Sequence, residues 1–126
     1  MSQYWYLTLT PPTDRPGSID SQPVIDFLLG LPELQRSGAM SFQAAPGQPW
    51  LDMALAKTHA DSGGYAVYDA FVPQIDILEL VCSEADQAQW YDDLACRIAQ
   101  RLDWIAVEEQ EARRLWPPAP SMSETR

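Results

Sequence analysis

The sequence predicts an α+β fold: a mostly antiparallel sheet of four to five strands with two helices on one of its faces. Three observations carry this. Tyr4–Thr10 and Trp50–Thr58 alternate apolar and polar residues with the period of two that marks a half-buried strand. Gln74–Cys82 is almost continuously apolar, the pattern of a strand buried on both faces. Two stretches, following Ser21 and Ser83, space their apolar residues as a helix does.

Taken in order, the first strand puts Trp5, Leu7 and Leu9 on one side and Tyr4, Tyr6 and Thr8 on the other, and Pro11-Pro12 ends it. Ser21 is positioned to cap a helix in which Val24, Phe27, Leu28 and Leu31 share a face, with Gly30 and Pro32 closing it. The segment from Pro32 to Gly38 reads as one further helical turn. Met40–Ala45 and Trp50–Thr58, joined by Pro46-Gly47-Gln48-Pro49, read as a hairpin, with Leu51, Met53 and Leu55 facing one way and Trp50 and Asp52 the other. Asp61–Gly64 is a loop and Tyr65–Tyr68 a strand fragment. After the Gln74–Cys82 strand, Ser83 with Asp86 forms a capping-box-like start to a helix. Its apolar stripe is Tyr91, Leu94, Ala95, Ile98 and Leu102, with Arg97 and Arg101 near its end. Trp104–Val107 reads as a last strand and the charged Glu108–Leu115 as a helical extension.

Strand, helix, hairpin, strand, helix, strand is an order that resembles a ferredoxin-like, split βαβ arrangement over residues 4–107, with one strand added in the middle. The resemblance is one of architecture and implies no function. The 126 residues suit one domain, here placed at 1–116, followed by a Pro- and Ser-rich tail at 117–126 expected to be disordered. The opening MSQYWYLTLTPP lacks the basic start and apolar core of a signal peptide. No stretch reaches the roughly 18 apolar residues of a membrane span. A cytoplasmic location is expected.

The formal net charge is −10. It is unevenly spread: residues 1–96 hold all of it, with only Arg15, Arg36 and Lys57 against thirteen acids, and residues 97–126 are balanced. Such a body repels nucleic-acid backbones and anionic lipid. It attracts and steers a basic protein.

Chemistry is sparse. Phosphate-binding, dinucleotide-binding, zinc-protease and nucleophile-elbow motifs are absent from the sequence. Cys82 and Cys96 with a single histidine do not complete a zinc set, so neither a metal nor a cofactor is expected. His59 and Asp61 are the candidate ligand contacts, two residues apart in a loop. The stronger candidate surface is the sheet face bearing Tyr4, Tyr6, Trp50 and Asp52, with Asp76 joining them in one register. Tyrosine and tryptophan dominate binding hot spots. The expectation is therefore a non-enzymatic protein-binding domain with a basic protein partner. In type it matches the acidic bacterial immunity proteins that neutralise a toxin or enzyme by occlusion. The alternative is a small-ligand-binding or small enzymatic protein, as a homodimer, with its pocket on the same aromatic face.

Overall fold

The computed structural model describes residues 4–15, 17–58 and 70–117. His59, Asp61, the Tyr65–Tyr68 segment and residues 118–126 lie outside the described residues. The architecture is α+β. Seven strands form one sheet in the order β3-β4-β5-β7-β1-β8-β9. These are β1 (Trp5–Thr10), β3 (Leu34–Gly38), β4 (Ser41–Ala44), β5 (Leu51–Ala56), β7 (Ile77–Cys82), β8 (Ile105–Glu108) and β9 (Arg113–Trp116). All of their pairings are antiparallel. A separate two-stranded ribbon pairs β2 (Ile19–Asp20) with β6 (Gln74–Ile75). The helices are α1 (Ser21–Leu29) and α2 (Ala88–Leu102). The chain leaves β7, runs through α2, and returns as β8 on the far side of β1. β7 and β8 are therefore parallel to each other with β1 between them.

Register sorts the side chains into two faces, because successive residues of a strand point to opposite sides. Leu7, Leu80, Met53 and Phe42 are cross-strand neighbours in one row over four strands, and none is more than 1% exposed. Leu9, Leu78 and Leu55 form the next row. Val24, Ile25 and Leu28 of α1 and Tyr91, Leu94, Ala95, Ile98 and Ala99 of α2 complete this core. The periodicity in β1, β5 and α2 is thus the pattern of burial against the helices.

Five local expectations are corrected. Residues 34–38 are an edge strand instead of a helical turn. Leu34 N–H bonds to Leu31 O, and from there the open edge of β4 offers a ladder that outweighs local propensity. Ser21 is the first residue of α1 and not its cap; its N–H is bonded to Pro73 O at 2.8 Å beside the β2–β6 ribbon. The apolar run at 74–82 breaks at Asp76, whose carboxylate accepts from Thr58 N–H at 2.8 Å and Thr58 Oγ1 at 2.7 Å. The helix begins at Ala88, five residues beyond Ser83, after a short 3-10 turn at Ala85–Gln87. Residues 108–115 turn back as a hairpin, with Ala112 left-handed at φ 54°. That added β9, and β3 at the other edge, bring the sheet to seven strands where four or five were expected.

Both edge strands carry arginine: Arg36 on β3, and Arg113 and Arg114 on β9. Each edge pairing has a register shift, between Arg36 and Gly38 and between Ala106 and Val107.

Leu80 sits at the centre of the buried row. Leu80→Ala should cost about 2–5 kcal/mol, measured as a fall in the urea midpoint with an unchanged slope.

Candidate functional site

The face turned away from the helices carries two rows of cross-strand neighbours. One runs Gln35, Gln43, Asp52, Val81, Tyr6 and the other Ser41, Ala54, Glu79, Thr8, Val107, Arg114. Tyr4 and Trp50 stand just before β1 and β5 at the same end of the sheet, their ring centroids 5.5 Å apart. Tyr4, Tyr6 and Trp50 are 54%, 42% and 41% exposed. The structure therefore brings together four of the candidates, Tyr4, Tyr6, Trp50 and Asp52. It leaves Asp76 at the opposite end of β7, tying Thr58 to the start of that strand.

A groove of about 800 Å³ lies at the aromatic end, where β1 begins and β7 and β8 finish. Trp5, Glu84, Asp86, Glu108, Glu111 and Arg113 are among its walls. A smaller hollow of about 310 Å³ adjoins it between Tyr4, Tyr6 and Glu109, and Trp5 and Gln110 line both. Aromatic rings and carboxylates thus alternate around the end of the sheet.

Tyr91 of α2 holds this end in place. Its hydroxyl donates to Trp50 O and accepts from Glu84 N–H at 3.3 Å. The Glu84 carboxylate in turn accepts the Trp50 N–H at 2.7 Å. These ties hold Glu84 extended, and a helix that ran on from Ser83 would need it helical. The Tyr91 ring meets Trp5 edge-on at 5.4 Å and Trp90 at 5.3 Å. Burial pushes the Tyr91 hydroxyl above its ordinary pKa, so it stays a neutral donor.

Behind the groove, Glu108 lies opposite Leu7 on the helix side of the sheet and is 4% exposed. Its Oε2 accepts the Gln110 N–H at 2.6 Å. Arg113 stands 4.0 Å from Glu108 Oε1 and donates to Asp92 Oδ2 at 3.3 Å. Asp92 Oδ1 is buried without a hydrogen-bond partner among the described residues. Cys82, fully buried, has its thiol pushed up to about 12, first by burial and then by the charges of Asp92 and Glu108. Burial also raises the Cys96 thiol, which contacts Leu115 O at 3.3 Å.

No family model, curated protein or solved structure matches the chain. Function is therefore to be sought in the site's own chemistry. Among the described residues no group of three or more His, Cys, Asp or Glu is placed to hold a metal. No described helix is long and apolar enough to cross a membrane. The two cysteines of the chain keep their protons at neutral pH, and a protonated thiol is a poor nucleophile. An acidic, aromatic surface of this kind is suited to holding a cation.

Sequence reasoning misses Trp5, Glu84, Asp86, Glu108 and Glu111 as members of a site. Alternation alone assigns Trp5 to the core, the capping pattern assigns Glu84 and Asp86 to a helix start, and helix propensity assigns Glu108 and Glu111 to a helical extension. The signal that distinguishes them is tertiary: the β8–β9 turn brings residues 108–113 back beside β1.

Two outcomes test the geometry. Tyr91→Phe leaves Trp50 O and Glu84 N–H without their shared partner and should cost about 1 kcal/mol in urea unfolding. Cys82 provides a pH test. Unfolded, its thiol ionises near 9.0; folded, it holds its proton to about 12. Above pH 9 the unfolded state binds fewer protons, so stability falls as pH rises through this window, by up to about 1.4 kcal/mol per unit. Between pH 8 and about pH 10.5 the wild type should lose about 2 kcal/mol more than Cys82→Ala.

Proposed function

We propose that this protein is a non-enzymatic protein-binding domain: an acidic inhibitor of the immunity type, acting in the bacterial cytoplasm, that neutralises a basic toxin or enzyme by covering its working surface. The observation that carries the reading is the joint exposure of Tyr4, Tyr6 and Trp50 beside Asp52 at one end of the sheet face turned away from α1 and α2. Aromatic side chains supply large contact area at small entropic cost and are enriched among the residues that dominate interfaces. The net charge of −10 favours a basic partner, which it steers into contact, and disfavours nucleic acid and anionic lipid. An inhibitor that works by occlusion needs no nucleophile, metal or cofactor of its own.

The ferredoxin-like reading of the fold is supported by the central strand order β8-β1-β7-β5 and by the α2 connection that carries β7 around β1 to β8. On that reading the β3–β4 hairpin and β9 are additions at the two edges.

The test is direct. A basic protein bound by the full chain should associate at a rate that falls about tenfold between about 50 and about 300 mM salt, and should lose its own activity in a one-to-one complex. Tyr6→Ala and Trp50→Ala should each weaken the complex about tenfold or more while leaving the urea midpoint in place. A salt-insensitive association rate, a partner that stays active when saturated, or full affinity in both variants would refute the proposal.

A further inference from the structure

We infer that the sheet face turned away from α1 and α2 closes on the same face of a second copy of this chain, as a weak, reversible two-fold dimer. The inference goes beyond the protein-binding reading and does not need it: a basic partner and a second copy exclude one another from a single surface. Ala56 and Ile77, paired on this face at the end away from Trp50, are buried. Thr8, Glu79, Val81 and Val107 are half-buried, and Tyr6, Asp52 and Arg114 are exposed. The open part of the face is therefore the aromatic end and the two cross-strand rows beside it. Tyr4, Tyr6 and Trp50 supply its large side chains, around a low centre of Val81, Ala54 and Val107.

Charge complementarity selects the occupant and its setting. The strands β5-β7-β1-β8-β9 are centred on β1. A two-fold contact uses the same patch on both copies, so an axis along β1 exchanges β7 with β8 and β5 with β9. Arg114 of each copy then lies over Ala54 of the other. Ala54 is flanked by two carboxylates, Glu79 across the ladder and Asp52 two residues back on the same face. Packed sheets stand about 10 Å apart with their strands within about 30° of each other. An extended arginine spans much of that gap, and the small Ala54 leaves it room. On this axis Tyr6 meets Tyr6 and Thr8 meets Thr8. An axis along β7 would instead set Glu79 against Glu79 and carry Arg114 out to β3, away from both acids. Two terms keep the contact weak. Each copy carries −10, and Glu109, next to Tyr6, comes over β7 of the other copy, which bears no cation. The open patch on β4 to β9 measures about 24 by 17 Å, or about 400 Å² in projection. A standard interface takes about 800 Å² of accessible surface per partner, so this one belongs at the small, transient end.

The test is sedimentation equilibrium of the full chain at about 150 mM salt, where charges more than about 8 Å apart are largely screened. The mass should rise from 14.2 kDa towards twice that value with concentration, with a dissociation constant of about 10–100 μM. Arg114→Glu and Glu79→Arg should each weaken the dimer about tenfold or more, because each sets like charges face to face. Together they restore opposed charges, and the double variant should return to within about threefold of wild type. Neither position is buried, so the urea midpoint should stay in place in all three variants. The control Arg101→Glu, on α2 and off this face, changes the net charge as Arg114→Glu does and should alter the affinity less than about twofold. A chain still monomeric at about 1 mM, an equal loss in Arg101→Glu, or a double variant no tighter than either single one would overturn the inference. The two proposals fail separately. If the chain stays monomeric while a basic partner depends on Tyr6 and Trp50, the dimer falls and the protein-binding reading stands. If the charge swap rescues a dimer while no basic partner depends on those residues, the reverse holds.

Discussion

β7 is hydrogen-bonded along both edges, to β5 on one side and β1 on the other, and its Leu78, Leu80 and Cys82 have no contact with solvent. Because the side-chain period of a strand is two, a slip of one residue against either neighbour would turn Leu80 outward and bring Glu79 and Val81 under the helices. Burial of the leucine row therefore sets the register of three strands at once. That register also sets what the other face displays. Val81 falls between Asp52 and Tyr6, and Trp50 and Tyr4 come to the same end, because Leu51 and Trp5 both pair with Cys82. The aromatic surface is the reverse side of the core, specified by the same hydrogen bonds.

The second link between core and surface runs through one hydroxyl. Tyr91 belongs to the buried stripe of α2, but its oxygen reaches the end of the sheet and joins Trp50 to Glu84. Trp5, packed on the same ring, begins β1, the neighbour of β7. The position of α2 on the sheet thereby fixes the relative placement of an exposed indole, a groove-lining carboxylate and a groove-lining indole. A rigid arrangement of this kind lowers the entropy lost on binding.

Elements with strong periodicity were legible in the sequence. β1, β5, β7 and the body of α2 follow from alternation or from a helical stripe, and the face that holds Tyr4, Tyr6, Trp50 and Asp52 follows from the same alternation. The misread segments share a cause: each takes its conformation from a distant partner. Leu34–Gly38 has no period of its own and becomes a strand because β4 presents an edge. Glu108–Leu115 is rich in good helix formers, yet the carboxylate of Glu108 bonds its own turn and β8 pairs with β9. Ser83 has the neighbours of a helix cap, but the next residue, Glu84, is held extended by its ties to Trp50 and Tyr91. The groove was invisible for the same reason, since its walls come from β1, from the turn before α2 and from the β8–β9 hairpin.

The edges of the sheet bear on how the molecule behaves among copies of itself. Among the described residues the sheet has one face without a helix and ends at β3 and β9; such borders are a template on which further strands can stack, and an acidic body alone does not guard the backbone groups along them. Here β3 and β9, the outermost strands, bear Arg36, Arg113 and Arg114, against a body otherwise poor in positive charge. Two borders brought together oppose like charges, and the irregular pairing of each outer strand twists it out of line with an incoming neighbour. Three of the eight basic residues thus stand on the two outermost described strands, where like charges oppose edge-to-edge pairing.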